Sequence, residues 1–318
     1  MEVKLGSDAL AAPPARCVLT VGTFDGLHEG HHVLMRTVVE RARALDGHAA
    51  VYTFEPHPRK VLGGPSAPGL LTTLEQKLEV IAACGVDVTV VERFTREFAE
   101  TPPERFVRDI LWARFRPREV YVGYNFRFGH HREGSMRLLV ELGPELGFEA
   151  TIIPEVKVGG STVSSTAIRQ HLAAGEVEAA ARLLGRPYAL RGRVATGDRR
   201  GRALGFPTAN LESENEVLPE AGVYAGRVRF LDEGDPPRGA ELPAVTNLGR
   251  RPTFGEDLGL VAEAHLLDFS GDLYGRRVDV SFESRIRPER RFEGVEALRA
   301  QIARDVAEAR RRLAGPAR

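Results

Sequence analysis

The run Cys17-Val18-Leu19-Thr20-Val21-Gly22-Thr23-Phe24-Asp25-Gly26-Leu27-His28-Glu29-Gly30-His31 decides how the first half of the chain folds. It opens as a short apolar stretch ended by glycine, the pattern of a strand buried on both faces. It closes into a helix-period segment over residues 30–45. His28 and His31 are three apart and share one side of that helix's first turn. A helix amino-terminus offers unpaired N–H groups and the positive end of the dipole, which together favour anions. Gly22, Gly26 and Gly30 remove side chains where backbone would approach a bulky ligand, with Phe24 and Asp25 between them. The glycine spacing fits neither the dinucleotide fingerprint nor the P-loop. Imidazoles in this position suit phosphate oxygens whose charge grows as a phosphoryl centre is attacked. Two other readings stand beside this one. His28, His31 and His32 could be polar surface, or a metal cluster, although a metal site would want further ligands at recognisable spacing.

Outward from this run, buried strands are expected at Ala49–Phe54, Val86–Val91, Glu119–Gly123 and Ala150–Pro154. Helical segments are expected between them, over residues 74–84, 103–115, 134–146 and 164–173. That alternation, with continuous rather than alternating apolar strands, specifies an α/β domain with a parallel sheet covered on both faces. Ligands in such sheets bind beyond the carboxyl ends of the strands.

The pattern changes near residue 185. Glu176–Leu184 reads as a short helix stopped by Gly185 and Pro187. Strand-like runs then follow at hairpin intervals, at Tyr188–Val194, Gly222–Phe230, Ala244–Leu248, Val261–Phe269 and Arg277–Phe282. They imply a small antiparallel β-barrel. Val295, Leu298, Ile302, Val306, Ala309 and Leu313 recur at steps of three or four, an apolar helix face expected to pack on that barrel. Two domains, 1–186 and 187–318, are the expected division.

With 44 Lys+Arg against 44 Asp+Glu in 318 residues, the chain lacks the basic excess that bulk binding to nucleic acid or an anionic membrane requires. There is no apolar run of membrane-spanning length and no signal-peptide core, and Cys17 and Cys84 form no ligand spacing. Two buried free thiols in a reducing cytoplasm are expected.

Four further segments carry chemistry. Tyr121–Gly129 follows a strand and presents aromatics, Asn125 and Arg127. Ser164, Ser165 and Thr166 open a helix with Arg169 one turn in; such hydroxyls cap a helix or contact phosphate. In the second domain, Gly197-Asp198-Arg199-Arg200-Gly201-Arg202-Ala203-Leu204-Gly205-Phe206-Pro207-Thr208-Ala209-Asn210 reads as a cationic loop suited to polyphosphate, or as an exposed basic turn. Thr208 and Asn210 would point the same way on an extended segment and offer hard oxygen ligands to Mg²⁺. Glu263 stands in an apolar strand on one face with Val261 and His265, either paired with an arginine or poised as a base.

The Gly22–His31 run resembles the G-x-F-D-G-x-H-x-G-H element of the prokaryotic bifunctional riboflavin kinase/FAD synthetases. Phe54–Pro58, Gly123–Gly129 and Ser164–Arg169 resemble three more elements of that family, in order. The second half is similar to its riboflavin kinase elements at Gly201–Asn210, Thr246–Phe254 and Asp272–Gly275. The resemblance implies a Rossmann-like FMN adenylyltransferase domain followed by a riboflavin kinase barrel with a closing helix. It implies that His28, His31 and Arg169 meet ATP phosphates. Gly22, Phe24, Asp25, Gly26, Gly30, Asn125, Ser164, Ser165 and Thr166 would hold the nucleotide, and His57 and Pro58 would border the flavin. In the kinase it implies Gly197, Arg202, Gly205 and Pro207 around ATP, Thr208 and Asn210 on Mg²⁺, and Glu263 as general base. Riboflavin, FMN and ATP would be substrates, and FMN and FAD products. The alternatives are a flavin-binding sensor without turnover and a kinase with an inactive adenylyl domain.

Overall fold

The computed structural model describes residues 1–64, 67–195, 205–250 and 260–314. The chain divides into two compact units, Met1–Ser164 and Ser165–Arg318.

The first unit is built on a six-stranded sheet. Its strands are β1 (Glu2–Leu5), β2 (Val18–Val21), β3 (Ala49–Glu55), β4 (Val88–Arg93), β5 (Glu119–Gly123) and β6 (Glu149–Ile153). They lie in the order β1-β4-β3-β2-β5-β6, and every neighbouring pair is parallel. All four residues of β2 are buried, so the central strand is covered on both sides as its apolar run requires. One core face holds Tyr52, Phe106, Phe115 and Val120, and the other holds Phe24, Leu34, Met35 and Val38. Strand order reverses between β2 and β5, so the crevice of this sheet opens beyond their carboxyl ends. A two-rung hairpin, β7 (Lys157–Val158) with β8 (Ser161–Thr162), completes the unit.

The expected strands are present, with one addition to the six-stranded sheet. Glu2–Leu5, a stretch without a family element, forms the sheet's edge strand against β4. The segment expected as one helix over 103–115 carries a π-helical stretch, Phe106–Trp112, at its centre. Cys17 is buried as expected, but Cys84 is only half-buried and its Sγ lies 3.4 Å from His32 Nδ1.

The second unit begins with the helices Ser165–Ala173 and Val177–Leu184. Seven strands follow: β9 (Tyr188–Ala195), β10 (Ala209–Ser213), β11 (Gly222–Phe230), β12 (Glu241–Arg250), β13 (Leu260–Leu266), β14 (Arg277–Phe282) and β15 (Ser284–Pro288). The pairings β12-β13-β10-β9-β14-β11 run antiparallel and close through β11–β12 into a six-stranded barrel, with β15 added on β11. Its interior is filled by Tyr224 edge-on to Phe282, with Leu190, Val228, Val280 and Leu248 also buried.

Polar pairs hold the outer wall. Arg191, wholly buried, donates to Asp279 through Nε at 2.8 Å, and Arg229 reaches the same carboxylate at 2.7 Å. The terminal helix Val295–Leu313 packs on β11, β12 and β15, with Leu298 and Ile302 half-buried along it. Val306, Ala309 and Leu313 join Val223, Ala225 and Val245, whereas Val295 is 62% exposed. The expected apolar stripe is therefore corrected at its first residue, Val295. The helix is seated in part by charge: buried Asp305 accepts from Arg287 Nη2 at 2.8 Å and from Gln301 Nε2 at 2.7 Å.

Removing one partner of a buried ion pair strands the other, so Asp305→Ala is expected to cost about 3 kcal/mol in denaturant unfolding. Val295→Ala is expected to stay within about 0.5 kcal/mol, and equal losses would contradict this seating. A pH effect follows from Glu119, which accepts from Arg41 Nε at 3.0 Å and from Tyr121 Oη at 2.8 Å. The Arg41 hydrogen bond holds its carboxyl below the ordinary glutamate range. Stabilisation by this group is full above the unfolded-state value and disappears as pH falls through the lower folded-state value. The unfolding free energies of wild type and Glu119→Gln should therefore converge on acidification; a gap that stays constant would exclude this linkage.

Candidate active sites

In the first unit the carboxyl ends of adjacent strands β3, β2 and β5 gather three of the motifs. β2 leads into the turn Gly22–Leu27, β3 into Pro56-His57-Pro58, and β5 into Tyr124–Gly129. The turn is strained. Phe24, Gly26 and Leu27 have φ of 50°, 80° and 42°, all left-handed. Only glycine adopts that region without cost, so the surroundings must hold Phe24 and Leu27 there.

They do so from beneath. The buried Asp25 carboxylate accepts from the Leu71 amide at 2.9 Å, and Gly26 N donates to Thr72 Oγ1 at 3.3 Å. The next residue, Thr73, caps the helix Leu74–Ala83 in a reciprocal box with Gln76. Phe24 is buried in the core beneath the turn and meets the His31 ring edge-on at 5.2 Å. His31 in turn stacks on His28 with centroids 3.7 Å apart.

His28 is the N-cap of the helix Glu29–Ala44, and its Nδ1 accepts from His31 N at 3.4 Å. An accepting Nδ1 leaves the ring proton on Nε2, a donor suited to a phosphate oxygen at a helix amino-terminus. His57 repeats the device, with Nδ1 accepting from Arg59 N at 3.0 Å ahead of Pro58. His32 instead turns to Cys84. Among the described residues no group of three or more His, Cys, Asp or Glu is placed to hold a metal.

The glycines have reasons inside the protein. A Cβ on Gly22 would lie 2.8 Å from the Phe24 ring, and one on Gly30 would lie 3.2 Å from the His28 imidazole. Lys77, which sequence reasoning passed over, is buried near this turn. Burial pushes its ammonium below the usual lysine value, while the carboxylates of Glu55 and Asp25 oppose the shift. Asn125 is exposed after β5. Ser164 is the last residue of the first unit. Ser165, Thr166 and Arg169 lie in the first turns of the helix Ser165–Ala173, with Thr166 exposed and the other two half-buried.

In the second unit the strand register builds the site. Asn210 on β10 pairs with Glu263 on β13, and Glu263 pairs on its other side with Asn247 on β12. Residues in register across antiparallel strands point to the same face. Ala262, Ala264 and Leu266 are buried, whereas Val261, Glu263 and His265 are half-buried, so this face is the outer one. Glu263 thus sits between two carboxamides. Thr208 is half-buried just ahead of β10, and Asn210 is buried. Gly205 and Pro207 are exposed. Gly197, Arg199, Arg200 and Arg202 lie outside the described residues, as do residues 251–254 of the Thr246–Phe254 element. In the Asp272–Gly275 element, Asp272 Oδ1 accepts from Tyr274 N at 3.0 Å, a side-chain turn leading into β14.

A strained glycine turn with stacked imidazoles at a switch point, joined to a barrel with a carboxylate between amides, defines a two-unit transferase of phosphorylated ligands. The FAD synthetase family pattern matches residues 11–167, and the riboflavin kinase family pattern matches residues 184–313. The bifunctional riboflavin kinase/FMN adenylyltransferase of Escherichia coli (strain K12) is 44% identical over 299 residues, covering 94% of this chain and 93% of that one. That of Pseudomonas fluorescens is 37% identical over 316 residues and covers 99% of each. A crystal structure described as a macrolide-efflux protein from Streptococcus pneumoniae superposes with a TM-score of 0.87 at 27% identity, covering 98% of this chain and 99% of that one. Among the described residues no helix is long and apolar enough to cross a membrane. The chain belongs to the bifunctional riboflavin kinase/FMN adenylyltransferase family.

The close approach of Gly30 to His28 is testable. Gly30→Ala should displace the imidazole by a few tenths of an ångström. We expect FMN adenylylation to fall by about tenfold, since small misplacements at a reacting centre are costly. Riboflavin phosphorylation should be unchanged, and parallel loss of both activities would contradict the local origin.

Proposed function

We propose that the two units carry out consecutive ATP-dependent steps, riboflavin to FMN in the barrel and FMN to FAD at the parallel sheet. The observation that supports it is that each unit presents its own cluster of candidate side chains. One has stacked imidazoles at a helix amino-terminus, and the other has Glu263 between Asn210 and Asn247. The functional division is proposed at 186/187, three residues inside the riboflavin kinase match that begins at 184.

In the kinase step, Glu263 accepts the proton of the riboflavin 5′-hydroxyl as that oxygen attacks the γ-phosphorus of ATP and ADP leaves. A primary alcohol is a weak nucleophile at neutral pH, so a positioned base is worth having. Thr208 and Asn210, a hydroxyl and an amide oxygen, fit the hard-ligand chemistry of Mg²⁺ and are assigned to hold it with ATP. When bound, the ion neutralises charge on the phosphates. Gly197, Arg202, Gly205 and Pro207 are assigned to the nucleotide.

In the adenylyl step, an FMN phosphate oxygen attacks the α-phosphorus of a second ATP and pyrophosphate leaves. This nucleophile is already ionised, so the site needs charge stabilisation and alignment rather than a base. His28 and His31 are assigned to donate to the phosphates, with the Nε2 proton of His28 facing them. Arg169, Asn125, Ser164, Ser165 and Thr166 are assigned to hold the nucleotide, together with Gly22, Gly26 and Gly30. Phe24 and Asp25 have buried side chains tied into the turn, so their part in binding is to shape its backbone. His57 and Pro58 are assigned to the flavin. The chain is placed in the cytoplasm, acting on small molecules without nucleic acid or membrane.

Single substitutions should separate the steps. Glu263→Gln should lower riboflavin phosphorylation by about a hundredfold or more while sparing FAD formation from supplied FMN. His28→Ala should do the reverse. If Glu263→Gln abolished both, or His28→Ala left FAD synthesis intact, the assignment would fail.

A further inference from the structure

We propose that His265 is a positioning residue of the kinase step, fixing the peptide that carries Thr208. The proposal rests on the reading of Thr208 and Asn210 as ligands of Mg²⁺–ATP.

The register of β10 on β13 pairs Ala209 with Ala264 and Asn210 with Glu263. The next rung outward would set Thr208 opposite His265. The ladder stops first, because Pro207 carries no N–H to continue it and β10 begins at Ala209. At that point the His265 side chain takes over from the strand: Nδ1 donates to the Pro207 carbonyl at 2.8 Å. A carbonyl only accepts, so the proton is on Nδ1 and, in the neutral ring, Nε2 is left as an acceptor. The same ring meets Phe206 edge-on, with centroids 5.5 Å apart and planes at 85°.

The Pro207 carbonyl belongs to the peptide whose nitrogen is that of Thr208. Its plane is held by His265 on one side, and Ala209 is held by the ladder on the other. Thr208 is the one residue between these two anchors. A ligand hydroxyl held from both sides is ordered before the nucleotide arrives, which lowers the ordering cost of binding. His265 also stands two residues from Glu263 on the outer face of β13, so one strand carries both the proposed base and the prop for the proposed metal ligand. His265 itself need not touch substrate.

The test uses the full-length protein and initial rates of riboflavin phosphorylation at saturating Mg²⁺, with ATP and riboflavin varied separately. His265→Ala is expected to raise the KM for ATP by about tenfold, the worth of one well-placed hydrogen bond. The KM for riboflavin, and adenylylation of supplied FMN, should hold. His265→Asn puts a carboxamide nitrogen near the place of Nδ1 and should recover most of the ATP affinity. His265→Gln carries its amide further out, towards the place of Nε2, and should not. This Asn–Gln comparison decides the matter even if the alanine variant folds poorly. Asn behaving no better than Gln, or equal changes in the two KM values, would overturn the proposal. Thr208→Ala separates the two layers of the reading. If it raises the KM for ATP while His265→Ala does not, only the positioning role is lost; if it leaves that KM unchanged, the ligand assignment itself fails.

Discussion

The first unit depends on one buried hydrogen bond, from the Leu71 amide to the Asp25 carboxylate. The turn after β2 passes through left-handed backbone at Phe24, Gly26 and Leu27, and two of these are residues with a Cβ. Such a turn persists only where its surroundings over-determine it. Asp25 supplies that constraint, with Thr72 bound to the Gly26 amide beside it. The rest follows in contact order. The turn puts the Phe24 ring under Gly22, Phe24 meets His31, and His31 stacks on His28 at the helix amino-terminus. Strain is thus spent on aligning two imidazoles where a helix dipole favours phosphate.

The barrel solves a different problem. Its interior is a packed apolar core, so chemistry can reside only on the outer face or in the connecting loops. Alternation along β13 sends Ala262, Ala264 and Leu266 inward and Glu263 and His265 outward. Register then delivers Asn210 and Asn247 to the two flanks of Glu263 without any loop taking part. Sites built on strands are held more rigidly than sites built on loops. Buried ion pairs at Arg191–Asp279 and Arg287–Asp305 fasten the same outer wall away from this row.

Much of this was legible in the residues. Continuous apolar runs identified the parallel strands, and helical periodicity identified the helices between them. The elements that escaped share a cause. β1, β10 and β15 are short, and β10 and β15 carry sequences as polar as Ala-Asn-Leu-Glu-Ser and Ser-Arg-Ile-Arg-Pro. Their pairing is decided by neighbours distant in sequence rather than by local pattern. The apolar stripe of the last helix gave no hint that Val295 is exposed while Asp305 is buried, because periodicity cannot register an arginine partner on a separate strand. Gly22 and Gly30 read as gaps for a ligand; the structure fills those gaps with the Phe24 and His28 rings. Lys77 did leave a trace. It is one of four lysines beside 40 arginines, and it is buried near the carboxylates of Glu55 and Asp25.

The central claim is that two different phosphorus atoms of ATP are attacked in one chain, each at its own site. It is tested most directly by incubating the protein with riboflavin, Mg²⁺ and ATP labelled with ³²P at either the γ or the α position, then separating the flavins. The account requires γ-label in FMN and retained in FAD, and α-label in FAD alone. Unlabelled flavins from either ATP, or α-label in FMN, would contradict it.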